Sequence, residues 1–378
     1  MKRAARGWWL VLLAPALMAP KRNRQAEVTE PTVAAPAPVA EVVERAPTAA
    51  PLFDHGLPVD IGELPEGLAN ASAQGCAGCH AAVVEAWSSS AHASAWRDAD
   101  TRAALTSGGV SCTGCHLPVG FQAPMLGPDQ ANPAWQASLS SEGVSCSACH
   151  LRDGAVVGTR GAGAGSHPVR VSDELATGEA CKACHQLDED EVALYDTWGE
   201  WSRSPYAEAG VSCVSCHLAP VAAAGTLGGL GVTADHSLGL DPSRAVSVLL
   251  ELDAPVVVRG EALEAKLLLQ GTGAGHAFPT GSPFRQVRVD VLVRDAEGET
   301  VGTPWSTLLG RTVSGPPWVV TADQRLQPLG ELRFEPSLDL PHAGAGGEGH
   351  VVVAFTEVGP DGTHPEPLFE HTVPVSVE

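Results

Sequence analysis

Cys76-Ala-Gly-Cys79-His80, Cys112-Thr-Gly-Cys115-His116, Cys146-Ser-Ala-Cys149-His150, Cys181-Lys-Ala-Cys184-His185 and Cys213-Val-Ser-Cys216-His217 repeat one pattern and use all ten cysteines of the 378-residue chain. Cys-x-x-Cys-His is the attachment pattern of c-type haem. The two sulfurs take the two vinyl groups of one porphyrin as thioethers, and the histidine that follows becomes an axial ligand of the iron. Disulfides, redox dithiols or half zinc sites would not demand a histidine directly after every second cysteine. The sequence therefore calls for five covalently bound haem c groups, with His80, His116, His150, His185 and His217 as proximal ligands.

Successive motifs begin 36, 34, 35 and 32 residues apart. So few residues per porphyrin cannot build a separate apolar core for each, so the haems themselves must supply much of the buried apolar area and lie close together. Residues 65–240 read as a pentahaem domain of short helices and irregular chain. Ala81 to Leu105 has a helical composition, and Asp188 to Trp201 carries Leu194, Trp198 and Trp201 at helical spacing. An internal repeat, Trp-x-x-Ser, occurs at Trp87, Trp135 and Trp201. Two residues past each serine stand His92, Ser140 and Tyr206, so only the first copy offers an iron ligand there.

Cysteine stops after Cys216 and β patterns begin. Ala245–Leu252, Leu263–Gln270, Gln286–Arg294, Glu331–Phe334, Gly349–Val358 and His371–Val377 read as strands. In the third, Val287, Val289, Val291 and Val293 alternate with Gln286, Arg288, Asp290 and the end residue Arg294. The expected fold class is multidomain: a haem-packed, mainly α or irregular domain, then an all-β sandwich at 245–378.

The amino end is basic, and an apolar run from Trp8 to Ala19 follows. Residues 1–20 fit a signal peptide; Pro20 after the small-residue site leaves an uncleaved N-terminal anchor as the other reading. Residues 21–64 form a Pro/Ala-rich linker, extended and without a packed core. The expected location is periplasmic or cell-surface, with a membrane tether through the amino end if the signal stays. A formal charge of −21 with four lysines argues against nucleic acid as a partner. It suits steering onto a basic redox protein and equally suits simple solubility.

Nine of the fourteen histidines lie outside the motifs, and how many reach iron decides the function. An iron with two protein ligands carries electrons; one with an open position binds small molecules. The distal candidates are His92 on the first repeat, His167 in Ser-His-Pro-Val, His236 in Asp-His-Ser, His276 in Gly-Ala-Gly-His-Ala-Phe-Pro-Thr-Gly, and His55 upstream of the haems. His342, His350, His364 and His371 read as surface groups of the sandwich. Met125, the methionine nearest a motif, is a weaker ligand candidate than a gap-filler.

The run from Cys76 to His236 resembles the multihaem cytochrome c family related to the tetrahaem carrier of hydroxylamine oxidation. The matching elements are Trp-x-x-Ser-x-His at Trp87–His92, Gly-Val-Ser-Cys-x-x-Cys-His, Leu117-Pro118 after the second motif, Ser-His-Pro-Val at His167 and Asp-His-Ser at His236. The segment from His276 to Arg285 looks like the β-domain motif that follows such arrays. The resemblance implies distal ligation by His92, His167, His236 and His276, and low-potential electron transfer; it offers no counterpart for His55 and is built on four haems where this chain has five motifs.

The function expected is electron transfer between redox partner proteins through mostly bis-His haems. The alternative is an oxidoreductase with one open haem acting on a small nitrogen or other oxyanion. That enzyme would need anion attraction from arginines such as Arg152, Arg160 and Arg170, and proton donors such as Tyr195 and Tyr206. It would lack the Cys-x-x-Cys-Lys motif of pentahaem nitrite reductases.

Overall fold

Alternating valines in Gln286–Arg294 place this strand in the middle of a six-stranded sheet. The order is Val256–Val257, Phe369–Val377, Gly347–Val358, Gln286–Arg294, Thr300–Ser314, Val319–Asp323. Neighbours are antiparallel except the first pair, which is parallel. A second sheet orders Ser247–Leu252, Ala262–Gln270 and Glu331–Phe334, with Ser337–Asp339 pairing along the start of Ala262–Gln270. Both sheets feed one core: Leu267 and Leu269 from one meet Val287, Val289, Val291, Val351, Val353 and Phe355 from the other. The computed structural model describes residues 51–378 apart from 54–56, 98–109, 128, 161–166, 190, 223–231, 343–345 and 359–365. The expected signal or anchor at 1–20, the linker up to residue 50, His55 and His364 fall outside the described residues.

Asp290 lies on the face opposite the valines, as the alternation requires, but that face is partly covered. It is buried, pairs with Arg288 at 2.8 Å and accepts from the Ser306 hydroxyl at 2.5 Å. A strand flanked on both sides has both faces partly covered, and Leu292, Val352 and Ala354 form a second small cluster on that outer face. Phe355 is fully buried and stacks on Phe369 with ring centroids 4.2 Å apart. Phe355→Ala should cost about 3–5 kcal/mol, read as a lower unfolding midpoint from amide exchange in Gln286–Arg294. An unchanged midpoint would contradict the packing described.

The haem-motif region is built differently. Each motif histidine lies on a helix, of 16 residues in the first motif and shorter in the others, with the motif's second cysteine directly before it. The first lies in Ala73–Ser88, capped by the Ser72 hydroxyl, which accepts from Gly75 N at 3.1 Å, and by the Glu142 carboxylate, which accepts from Ala73 N at 3.1 and 3.2 Å. Its backbone leaves helical geometry at His80 (φ −117°, ψ 38°). Apolar packing is sparse here. One cluster buries Ile61, Ala71, Val119, Ala148 and Leu151, another Ala73, Trp87 and Ala93.

Two helix expectations change. The segment expected at Ala81–Leu105 is the end of Ala73–Ser88 plus a turn, Ala91–Ser94, and then runs outside the described residues. Asp188–Trp201 is not one helix. Leu187–Glu189 and Val192–Tyr195 pair as a hairpin whose turn residue Glu191 has φ 67°, and only Thr197–Ser202 is helical. Leu194 packs inward from the hairpin strand while Trp198 and Trp201 are half-buried on the helix, so the apolar stripe is split where strand gives way to helix at Asp196. No helix among the described residues is long and apolar enough to cross a membrane.

Candidate haem sites

Four motif histidines face a second histidine from remote sequence. Ring centroids are 6.5 Å apart for His80 and His167, 6.1 Å for His92 and His185, 6.3 Å for His150 and His236, and 6.2 Å for His217 and His276. With metal–imidazole bonds of about 2.0–2.1 Å and the ring radius added on each side, two imidazoles on one metal put their centroids about 6 Å apart. The donor spacing therefore fits one iron between the rings of each pair.

The orientation of the rings fits as well. Nδ1 bonds a backbone oxygen in His116 (Ala95, 2.9 Å), His150 (Val157, 2.7 Å), His217 (Leu238, 3.1 Å), His236 (Ala234, 2.9 Å) and His276 (Ala277, 3.0 Å). A carbonyl can only accept, so the proton sits on Nδ1 and Nε2 keeps its lone pair for metal. His167 differs: its buried Nδ1 has no hydrogen-bond partner. Burial also suppresses the charged imidazolium. It pulls His92 to about 4, helped by His185, His217 and His116 nearby, and lowers His80, His150, His185 and His276. Neutral imidazole is the ligating form.

The motifs approach one another. The Cys76 thiol lies beside that of Cys146, Cys115 beside Cys184, and Cys181 beside Cys213. Motif one thus abuts motif three, and motif four abuts motifs two and five.

The tryptophan repeat explains part of this placement. Trp87 Nε1 donates to Val144 O at 2.9 Å, and Trp201 Nε1 to Val211 O at 2.8 Å. Each carbonyl lies two residues before the first cysteine of a motif. The first repeat therefore anchors the third motif. Trp135 instead bonds Ser140 Oγ at 2.9 Å and stays about half exposed. Val144 N donates to His92 O at 2.9 Å, and a Cβ on Gly143 (φ +59°) would lie 2.5 Å from that oxygen, so only glycine fits beneath His92.

No described histidine pairs with His116. The chain on either side of residues 54–56 is nonetheless fixed. Leu52 N donates to Glu174 Oε2 at 2.9 Å, and its carbonyl accepts from Arg152 Nε and Nη2 at 3.0 and 2.8 Å. Val59 N donates to Pro118 O at 2.6 Å, just past the second motif, and a Cβ on Gly114 would lie 3.1 Å from Leu57 Cβ.

Other expectations resolve plainly. Met125 lies on an exposed hairpin strand, Met125–Gly127. His342 and His350 are exposed and His371 is half-buried. Arg152 is buried and spends its guanidinium on the carbonyls of Leu52, Ser147, Ala148 and Leu151, which removes it from any anion funnel. Tyr206 OH donates to Thr272 O at 2.6 Å, a structural bond. Sequence reading missed Glu200 and Arg325, buried partners beneath the His276 loop. Glu200 stands between Gly199 and Trp201 with nothing in its pattern to separate it from a surface helix residue.

Residues 75–151 match the family model described as cytochrome c554 and c-prime. That stretch, which holds the first three motifs, supports a multihaem cytochrome c relationship. A penta-heme cytochrome c552 from Thermochromatium tepidum resembles the chain in fold, with TM-score 0.57 and 20% identity over 81% of this chain and 99% of that one. A CARDB domain from Pyrococcus furiosus overlaps 35% of the chain and 87% of its own length at 14% identity, with TM-score 0.20. The sporulation control protein Spo0M of Bacillus subtilis overlaps 35% of the chain and 49% of its own length at 14% identity, with TM-score 0.18. No curated protein matches the chain.

Proposed function

We propose that the chain is an exported pentahaem c-type cytochrome that passes electrons between redox partner proteins through closely packed haems, most of them bis-His ligated. The carrying observation is the set of four histidine pairs, each joining one motif to one remote ring at a spacing that fits a single iron. Bound haem supplies a one-electron ferric–ferrous couple. The protein's own part is to set ligands, spacing and dielectric. Two imidazoles per iron leave no position for a substrate, and the cross-motif cysteine contacts support haems near enough for electron exchange.

His55 is the proposed sixth ligand of the haem on His116. Support comes from its flanks: Leu57 sits against Gly114 inside the second motif, and Val59 bonds Pro118 and Gly120, two and four residues beyond His116. Residues 65–240 are the proposed haem domain and 245–378 a β-sandwich that donates His276. Residues 1–20 act as export signal or anchor and the chain from 21 to 50 as tether; the linker expected to run on to residue 64 stops short of that, because Leu52, Val59 and Ile61 are buried against the haem-motif region. The acidic surface favours a basic redox partner, without nucleic acid. The open-haem reductase is not favoured, because Arg152, one of the arginines it would recruit, is committed to backbone carbonyls.

EPR of the oxidised protein tests the reading. Low-spin signals accounting for all five irons are expected, and His55→Ala should turn one iron in five high-spin. A native high-spin signal worth one iron would contradict the carrier reading and favour the enzyme.

A further inference from the structure

Glu200 is buried, with 7% of its surface exposed, on the helix Thr197–Ser202. A lone buried carboxylate is strongly unfavourable unless donors surround it. Here Oε2 accepts from Ala277 N at 3.2 Å and from Thr280 Oγ1 at 2.6 Å, while Oε1 accepts from Arg325. Ala277 directly follows His276, and Thr280 closes the same Phe-Pro-Thr turn. Thr280 Oγ1 also shares a hydrogen bond with Thr197 Oγ1 at 2.9 Å. Arg325 is buried too and grips Asp323 at 2.9 and 2.7 Å. Burial works against its charge, but the two carboxylates hold the guanidinium above its ordinary range.

The helix that carries Glu200 is itself fixed to two motifs. Gly199 N donates to Gln186 Oε1 at 3.0 Å, and Gln186 immediately follows His185. Trp201 Nε1 holds Val211 O, just upstream of Cys213. Trp201 and Tyr206 also close on Gly275, the residue before His276, where a Cβ would meet them at 3.2 and 3.4 Å. The His276 loop is thus gripped before the histidine by Trp201 and by Tyr206 of the next helix, Pro205–Glu208, and after it by Glu200.

We propose that Glu200 is a positioning residue for the sixth ligand of the fifth haem. Through Ala277 N and the Thr280 hydroxyl it sets the loop that presents His276 to His217, and it ties that ligand to the helix following the fourth motif. The inference rests on the reading of His276 as a haem ligand. A purely structural ion pair would need only Arg325; the two further donors, both in the ligand loop, are what assign the positioning role.

The test uses the haem-loaded full chain, with carbon monoxide uptake by the reduced protein and EPR of the oxidised protein as readouts. His276→Ala comes first and should make one haem in five open to carbon monoxide. If it stays inert, the ligand reading itself fails and the role of Glu200 falls with it. Given an open haem in His276→Ala, Glu200→Ala should open the same haem, by its EPR signature. Glu200→Gln still offers an acceptor to Ala277 N and Thr280, so it should keep carbon monoxide out. An inert Glu200→Ala overturns the proposal, as does a Glu200→Gln protein as open as the alanine variant. Should Glu200→Ala fail to accumulate, Thr280→Val decides. Faster carbon monoxide uptake at one haem supports the proposal, and unchanged inertness overturns it.

Discussion

Chain produced without haem attachment should lose the fold of residues 57–240 and retain the two sheets of residues 247–377. The reason is the distribution of apolar packing. The main cluster of the sheets gathers nineteen buried residues, whereas the two clusters of the haem-motif region gather five and three. At about 25 cal/mol per Å² of apolar surface buried, clusters of alanines and single branched residues cannot offset about 1–2 kcal/mol of backbone entropy per ordered residue. The porphyrins must provide the missing surface. Amide exchange mapped along such apo-protein should be fast through the motif helices and slow in Gln286–Arg294 and Gly347–Val358. Uniform protection of both regions would show that the protein alone makes a sufficient core, and the packing argument would fall.

The second large effect concerns His92. His92→Ala removes one ring of the His92–His185 pair. The haem on His185 should become high-spin when oxidised and bind carbon monoxide when reduced. Its potential should rise, because loss of an imidazole donor destabilises ferric iron. One haem in five should change by EPR, with the other four untouched. A variant indistinguishable from the native protein would remove His92 from the ligand set and undermine the pairing that carries the proposed function. The alanine leaves the backbone contact between Val144 N and residue 92 in place, so a general collapse is not expected.

What could be read without the structure depended on how local each signal was. Cys-x-x-Cys-His is a local pattern, complete within five residues, and all five copies are legible in the sequence. Strands with clean alternation were legible to the residue, as in Gln286–Arg294 and Glu331–Phe334. Thr300–Ser314 was missed because Gly302, Pro304 and Gly310 interrupt its pattern; Gly302 adopts φ 79°, and the pairing shifts register opposite Val291–Val293. Pairing of His92 with His185 or of His167 with His80 was illegible in principle, since nothing in either segment names its distant partner. Glu200 was illegible for the same reason: its three donors come from residues 277, 280 and 325.

The four ring pairs join residues 87, 93, 86 and 59 positions apart along the chain. On the proposed ligation, metal would link each pair and cross-brace the polypeptide with long rings, as cystines do in a secreted protein, while the cysteines serve the haems. Such loops shrink the ensemble available to the denatured chain, by an amount that grows with the logarithm of loop length. A protease cut between residues 160 and 167 would thus leave both fragments bolted together until acid frees the imidazoles.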